Sequence, residues 1–440
     1  MKLSRLFTKT TKDVPADETS KNAQLLIRAG FVHKTMAGVY SYLPLGLRVI
    51  NKIENIVRKH MNSIGGQEIL MNSLHPKAWW QKANRWDNVD ILFKLKSQTG
   101  SDYALACSHE EQVVPIIQSF IHSYKNLPEC NPDQNIYPLS VYQIQTKFRD
   151  ELRAKSGILR GREFRMKDMY DFHATKTSQN TYYELVKATY FDIYAELDLK
   201  VYATTASGGI FTSNVSHEFQ VECEAGEDWV YLDTISGEVY NEEVAPKEAL
   251  ECDYNSNQQT KYQKLKTAEI GNIFKLDDKY TKAFGVTVND ENNNPIVPLM
   301  NCHGIGTSRC MGVIAEIHSD EKGLKWPKNV APFEFHLITN LDKADEVINQ
   351  KILDLADRVY TGHARLIESE TWINYENLTD RNSVSLSEWS RHIEVLWDDR
   401  KNIGLGEKLA DADLIGCPVQ LIISKRSLEN FDSGVEVKLR

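Results

Sequence analysis

Four residues in the stretch KFRDELRAKSGILRGREFRMKD (147–168) have the types and spacing to grip a polyphosphate: Arg149 and Glu151, two apart, then Arg160 and Phe164, four apart. Guanidinium makes forked, charge-assisted hydrogen bonds to phosphoryl oxygens, and an aromatic ring offers a plane on which a base can stack. The stretch holds five Arg and three Lys against four carboxylates, in a chain whose formal net charge is −9. A charge run of this kind is usually only a solvated surface. What favours a site is its company. HGIGTSR (303–309) sets Arg309 just beyond a Gly304-Ile305-Gly306 turn, where Thr307 or Ser308 can cap a helix. Two arginines with an aromatic shelf suit a nucleoside triphosphate. A dinucleotide fingerprint is excluded, because Arg309 stands where its third glycine belongs.

The elements that must hold these residues are legible from periodicity. In VYQIQTKFRDE (141–151), Tyr142, Ile144 and Phe148 alternate with Gln143, Gln145, Arg149 and Glu151, which predicts a strand with one polar face. REFRMKDMYDFH (162–173) alternates too, with Phe164, Met166 and Tyr170 on one face, so the pair reads as an antiparallel hairpin around a basic loop. LRVINKIENIVRKHMN (47–62) places Val49, Ile50, Ile53, Ile56, Val57 and Met61 at helical spacing, a core-facing helix or a subunit interface. The prolines of WPKNVAPFEFHLI (326–338) mark a boundary, after which FEFHLI, IEVLWD and VQLIIS alternate with helical runs as in a small α/β domain.

Composition sets the outer limits. No apolar run reaches the roughly 20 residues of a membrane span, and the first residues carry no signal-peptide pattern, which makes the cytoplasm the expected compartment. The seven cysteines are scattered, without a Cys-x-x-Cys pair, and read as reduced thiols. Residues 331–440 hold 13 Lys and Arg against 20 Asp and Glu, so any RNA contact there needs a local patch.

In order and combination, AGVYSYLPLGLRV, LFKLK, HEEQVV, YQIQTKFRDELR, GREFRMKDMYDFH, SHEF, GIGTSR, KGLKWPKNVAPFEFHL and DADLIGCPVQLII resemble the prolyl-tRNA synthetase family of the bacterial type, within class II, along nearly the whole chain. The resemblance implies an α+β class II catalytic domain built on an antiparallel sheet over 1–330, followed by a small α/β anticodon-binding domain over 331–440. Between GED and IGNIF, residues 229–269 would be only a short remnant of the large editing insertion many members carry. ATP would be a substrate with Mg²⁺ on its phosphates, alongside L-proline and tRNA(Pro), in a homodimer that uses the 47–62 helix and the segment through Asn72.

By the same resemblance, Arg149 would hold the α-phosphate and the amino-acid carboxylate, Glu151 the adenine amino edge, Arg160 the γ-phosphate, and Phe164 the adenine face. Arg309 would lie on the opposite side of ATP, with Ser308 beside it; Arg149, Glu151 and Arg309 form the catalytic set, and no metal ligand is assigned. Ser108, Glu110, Met166 and His217 would join Arg149 around proline, with Glu110 receiving the imino group. Taken alone, His217 and Met166 read as core residues. The chain departs from the family pattern at Asn72, Cys107, Ser108, Ala154, Thr212-Ser213 and His303, and RKNIGLGEKLAD (400–411) lacks the usual Glu-Arg-Pro. A neighbouring class II synthetase for threonine, glycine or histidine is one alternative; a non-catalytic relative is the other.

Overall fold

Strand alternation builds the hairpin as predicted and extends it into the centre of the molecule. The computed structural model describes residues 1–440 apart from 15, 17, 210, 253–260 and 362–393. The segment 363–392, rich in Asn, Ser, Glu and Trp and unlike the family pattern, lies outside the described residues. Strands Leu139–Phe148 and Glu163–His173 pair antiparallel, from Leu139 opposite Phe172 to Phe148 opposite Glu163. This register sets Gln143 beside Asp168, Gln145 beside Met166 and Lys147 beside Phe164, all on one face.

The hairpin belongs to a nine-stranded sheet. Outward from Glu163–His173 come Leu299–Ile305, Tyr262–Asp277, Asp228–Asp233, Val239–Asn241, Val201–Ala206 and Ser216–Glu222; on the other side Leu139–Phe148 is followed by the short Gln67–Glu68. Its pairings are antiparallel except at two short joins. Residues 229–269, expected as a short remnant insertion, supply strands to this sheet: Asp228–Asp233 pairs with the first part of Tyr262–Asp277, whose later part pairs with both Ser216–Glu222 and Leu299–Ile305.

Helices Pro44–Ser63, Lys176–Glu196 and Thr307–Ile317 cover one face of the sheet. Pro44 starts the first of them, as its fixed φ and missing N–H allow. Val49, Ile50, Ile53, Val57 and Met61 are fully buried and Ile56 nearly so, which makes this stripe part of the core. The third helix is capped by Gly306, with no side-chain cap. Thr307 and Ser308, expected as caps, lie inside its first turn, where Thr307 Oγ1 donates to Glu54 at 3.2 Å and Ser308 Oγ bonds the backbone of Arg165.

The last hundred residues form a second sheet in the order Val395–Asp398, Phe335–Asn340, Val419–Ser424, Glu436–Leu439. The first three strands are the predicted ones and run parallel; the fourth, antiparallel, was not read from its short, charged sequence. Glu394 joins this unit to the long helix through ion pairs with Arg48 and Lys52.

Candidate active site

The cleft lies on the sheet face opposite the helices. Its volume is about 330 Å³, and its lining includes Ser108, Glu110, Arg149, Glu151, Arg160, Phe164, Met166, Ser308 and Arg309. Nine of the ten residues singled out in the sequence therefore meet in one space. Strand parity explains how: Phe164, Met166, Asp168 and Tyr170 share a face of one strand, and Cys302 and Gly304 share a face of its neighbour. A Cβ built on Gly304 would meet only Met166 Sδ, at 3.8 Å, so the glycine leaves the floor of the cleft open.

His217 is the exception. It shares parity with Phe219 and Val221, which are buried against the helical layer, while Glu218 takes the cleft side. Its Nδ1 bonds the Tyr183 hydroxyl at 2.7 Å, and burial, helped by Lys187 and Lys275, lowers its pKa to about 4. His217 is half-buried on the helical side of the sheet and is not part of the cleft lining. The apolar alternation Phe219, Val221 was the signal that could have placed it.

The five arginines of 147–168 divide by role. Arg165 pairs with the Glu54 carboxylate through Nη2 at 2.8 Å, and Arg162 donates to the carbonyls of Glu151 and Ala37, so both hold the fold together. Arg160 donates to Glu151 through Nε and Nη2, at 3.0 and 2.8 Å, and to Glu227 at 2.7 Å, while remaining 41% exposed. Arg153 is exposed. Arg149 alone meets the cleft without a carboxylate: its Nε is buried and has no hydrogen-bond partner among the described residues, and its guanidinium carbon lies 5.0 Å from the Phe164 ring centre. Burial and the nearby Arg309 both lower its pKa from the ordinary arginine range, the mark of a cation awaiting an anion. Arg309 is oriented by the carbonyls of Leu159 and Glu269, at 2.8 and 2.6 Å.

The loop between the two hairpin strands is fastened by a residue that sequence reasoning missed. Asn22 Oδ1 accepts from the Ile158 N–H at 3.2 Å and its Nδ2 donates to the Ser156 carbonyl. Gly157 has φ +65°, and a Cβ there would come within 2.3 Å of Asn22 Oδ1, so both conformation and contact require glycine.

At the opposite end of the cleft, Phe211 and Phe274 form an apolar wall with ring centres 5.0 Å apart. Glu110 and Glu111 open the helix Glu110–Gln118, where its dipole favours negative charge. Glu110 Oε1 accepts from Cys302 Sγ at 3.1 Å, and Oε2 accepts from Arg85 Nη1 at 3.1 Å. Burial opposes its ionisation, yet Arg85 and these hydrogen bonds hold its carboxyl below the ordinary range. Beneath the floor, Lys147 and Asp168 form an ion pair at 2.6 Å, both buried, with Gln143 and Tyr170 also donating to Asp168. Arg85, Phe211, Phe274, Cys302 and Lys147 were not singled out from sequence.

A cleft with an apolar, carboxylate-bearing end and a cationic, aromatic end is a place to join a small ammonium-bearing acid to a nucleotide. Residues 93–318 match the family described as tRNA synthetase class II core domain (G, H, P, S and T). A proline–tRNA ligase of Ehrlichia chaffeensis is 34% identical over 98% of this chain and 93% of its own length. The chain belongs to the proline–tRNA ligase family. A Wolbachia member from Brugia malayi is 32% identical over the whole chain. A Bacillus cytotoxicus member aligns over 588 positions, against 440 residues here, at 29% identity. Among solved structures, prolyl-tRNA synthetase of Giardia lamblia in complex with prolyl-adenylate has a TM-score of 0.69 at 18% identity, covering 92% of this chain and 68% of that one. The Cryptosporidium parvum enzyme complexed with L-proline and AMP has a TM-score of 0.67 at 16% identity, covering 95% and 70%. At such identity these structures establish the shared class II fold.

Proposed function

We propose that this protein is a proline–tRNA ligase that activates proline with ATP and transfers the prolyl group to the 3′ end of tRNA(Pro). The single observation that carries the reading is the convergence of Arg149, Arg309, Phe164 and Glu110 on one cleft in a chain of this family. Adenine stacks on Phe164 with Glu151 at its amino edge, and the α-phosphate and the proline carboxylate share Arg149. The carboxylate oxygen attacks the α-phosphorus in line, a P–O bond forms, and pyrophosphate leaves with the electron pair of the broken bond. The terminal tRNA hydroxyl then attacks the prolyl carbonyl and AMP departs. Positioning and fixed cationic charge do most of this work, without a covalent enzyme nucleophile.

Arg160 reaches the γ-phosphate by exchanging Glu227 for phosphate oxygens, which its 41% exposure allows. Mg²⁺, when bound, offsets phosphate charge. In this reading Glu269, on the cleft wall beside Arg309, would add one carboxylate to a site made mainly of phosphate and water, the ligands a small hard cation prefers.

Residues 1–330 form the catalytic unit in this reading and 331–440 meet the anticodon through a local patch. No helix among the described residues is long and apolar enough to cross a membrane. All seven cysteines are free, which suits the reducing cytoplasm where translation takes place. The working form is a homodimer; the exposed Leu70 and Leu74, either side of Asn72, are apolar side chains of the kind a twofold contact covers. Light scattering at micromolar concentration is expected to give twice the chain mass, and a fully active monomer would remove the dimer from the scheme.

Pyrophosphate exchange measured with each of the twenty amino acids tests the function itself. Proline is expected to lead by a wide margin, with alanine second. A pocket walled by Phe211 and Phe274 can reject larger side chains by clash, whereas alanine is disfavoured only by lost contact, about 1–3 kcal/mol per methylene. Alanyl-tRNA is therefore expected to form slowly and to persist, because 41 residues between GED and IGNIF are too few for an editing domain and the described strands among them, 229–233, 239–241 and 262–269, pair into the central sheet. Higher exchange with threonine or glycine would overturn the proline reading.

A further inference from the structure

Arg85 is an unusual place for a charge. It follows the short helix Lys77–Lys82, with its backbone N–H donating to the Trp80 carbonyl at 2.8 Å, and its side chain is only 4% exposed. The guanidinium carbon lies 4.9 Å from the Phe211 ring centre and 5.2 Å from that of Trp80. Burying a cation among aromatic rings costs more than the rings return unless counter-charges and hydrogen bonds accompany it. Here they do: Nη1 donates to Glu111 Oε1 at 2.7 Å and to Glu110 Oε2 at 3.1 Å, and both nitrogens approach Ser108 Oγ at 3.4 Å.

The two carboxylates are not equivalent. Both are buried, and only Glu110 lines the cleft. Burial pushes the Glu111 carboxyl up, against the pull of Arg85, while Arg85 and hydrogen bonds from Ser108 and Cys302 hold Glu110 below its ordinary range. The charged groups facing this pair are Arg85, from the segment after Trp80, and Lys279, from the helix Lys279–Phe284, with the ionisable Cys107, Tyr280 and Cys302 beside them. Arg85 Nη1 is shared between the two carboxylates, and Glu110, the one that lines the cleft, is left as the acceptor for a further cationic donor.

We propose that Arg85, anchored on Glu111, is a positioning residue that holds the Glu110 carboxylate toward the cleft and thereby makes the site select a cationic ring nitrogen. This rests on the proline-activating reading of the cleft. Arg85 Nη1 ties one Glu110 oxygen down from below, Cys302 ties the other, and the carboxylate cannot turn to solvent. A ligand nitrogen that carries a proton pair finds an acceptor already oriented; a ring without that nitrogen leaves the carboxylate desolvated and unpaired.

The test compares proline with tetrahydrofuran-2-carboxylate, a ring of similar shape with an ether oxygen in place of the imino nitrogen. Each is measured for its grip on the intact protein, proline by its KM in pyrophosphate exchange and the ether by inhibition. Arg85→Lys, which keeps the charge and loses the planar guanidinium that spans Glu110, Glu111 and Ser108, and Glu111→Gln, which keeps the shape and loses the anchor, are each expected to raise the proline KM by about tenfold or more. The KM for ATP should stay within about twofold, and the ether should bind within about twofold of its parental strength, so that the preference for proline collapses. Weakening of proline and the ether by the same factor, in either variant, would make Arg85 a merely structural residue and overturn the proposal, as would an unchanged proline KM. If Arg85→Lys fails to fold, Glu111→Gln decides by the same two ratios. Absence of proline-dependent exchange in the parent protein would overturn the functional reading first, a result distinct from any seen only in the variants.

Discussion

Arg149→Ala is expected to lower proline-dependent ATP–pyrophosphate exchange by a factor of about 10²–10³, the usual cost of deleting one donor aimed at developing charge. The structure explains why so large a loss in rate should leave the fold untouched. Arg162 and Arg165 spend their guanidinium groups on carbonyls and on Glu54, but Arg149 Nε has no partner among the described residues, and the Phe164 ring is its near neighbour. Removing it takes nothing from the network that holds the hairpin and leaves the reacting carboxylate and α-phosphate without their shared cation. Arg149→Lys should recover part of the loss, because charge survives and the fork does not. The measurement is steady-state exchange together with thermal melting. Near-parental exchange would mean that the basic hairpin is only a charged surface.

Lys147→Met is expected to lower stability by about 3–5 kcal/mol, the range for leaving a buried charge without its partner. Lys147 is fully buried and 2.6 Å from Asp168, which is nearly so. Burial alone would raise the Asp168 pKa; Lys147, with His109, reverses that and holds it well below the ordinary carboxylate range. The folded state therefore gains stability that is present above the unfolded carboxyl pKa of about 4 and disappears as the pH falls through the lower folded value. The gap between parent and variant should be widest near neutral pH and should narrow in acid. Urea unfolding across that pH range reads it directly, with Lys147→Met/Asp168→Asn as the control that removes both charges and should cost less than the two single changes together. A loss below about 1 kcal/mol for Lys147→Met would show that the pair is not a buried ion pair in solution.

Much of the site was legible because its grammar is local. Alternation over 141–151 and 162–173 marks two strands, the glycines between them mark a loop, and parity states which side chains share a face; Phe164, Met166 and the Gln143–Gln145 side follow from that alone. The same rule, applied to Ser216–Glu222, should have turned His217 inward with Phe219 and Val221, and family resemblance outweighed it. Thr307 and Ser308 are good caps in isolation, but Glu54 and Arg165 bring them bonds from elements more than a hundred residues away.

The sequence by itself determined the periodic elements, the class II motifs and the arginine, glutamate and phenylalanine types that can meet ATP and an imino acid, since each of these depends on neighbours within a few positions along the chain. Tertiary structure decided which charges are free to act. Among the arginines of one basic stretch it neutralised some with Glu54, Glu151 and Glu227 and left Arg149 to the cleft. From a segment with no periodic signal it brought Arg85 beneath Glu110 and Glu111. Whether a charge is spent or available depends on what lies within about 4 Å of it in space, and that distance is set by the packing of strands and helices far apart in the chain.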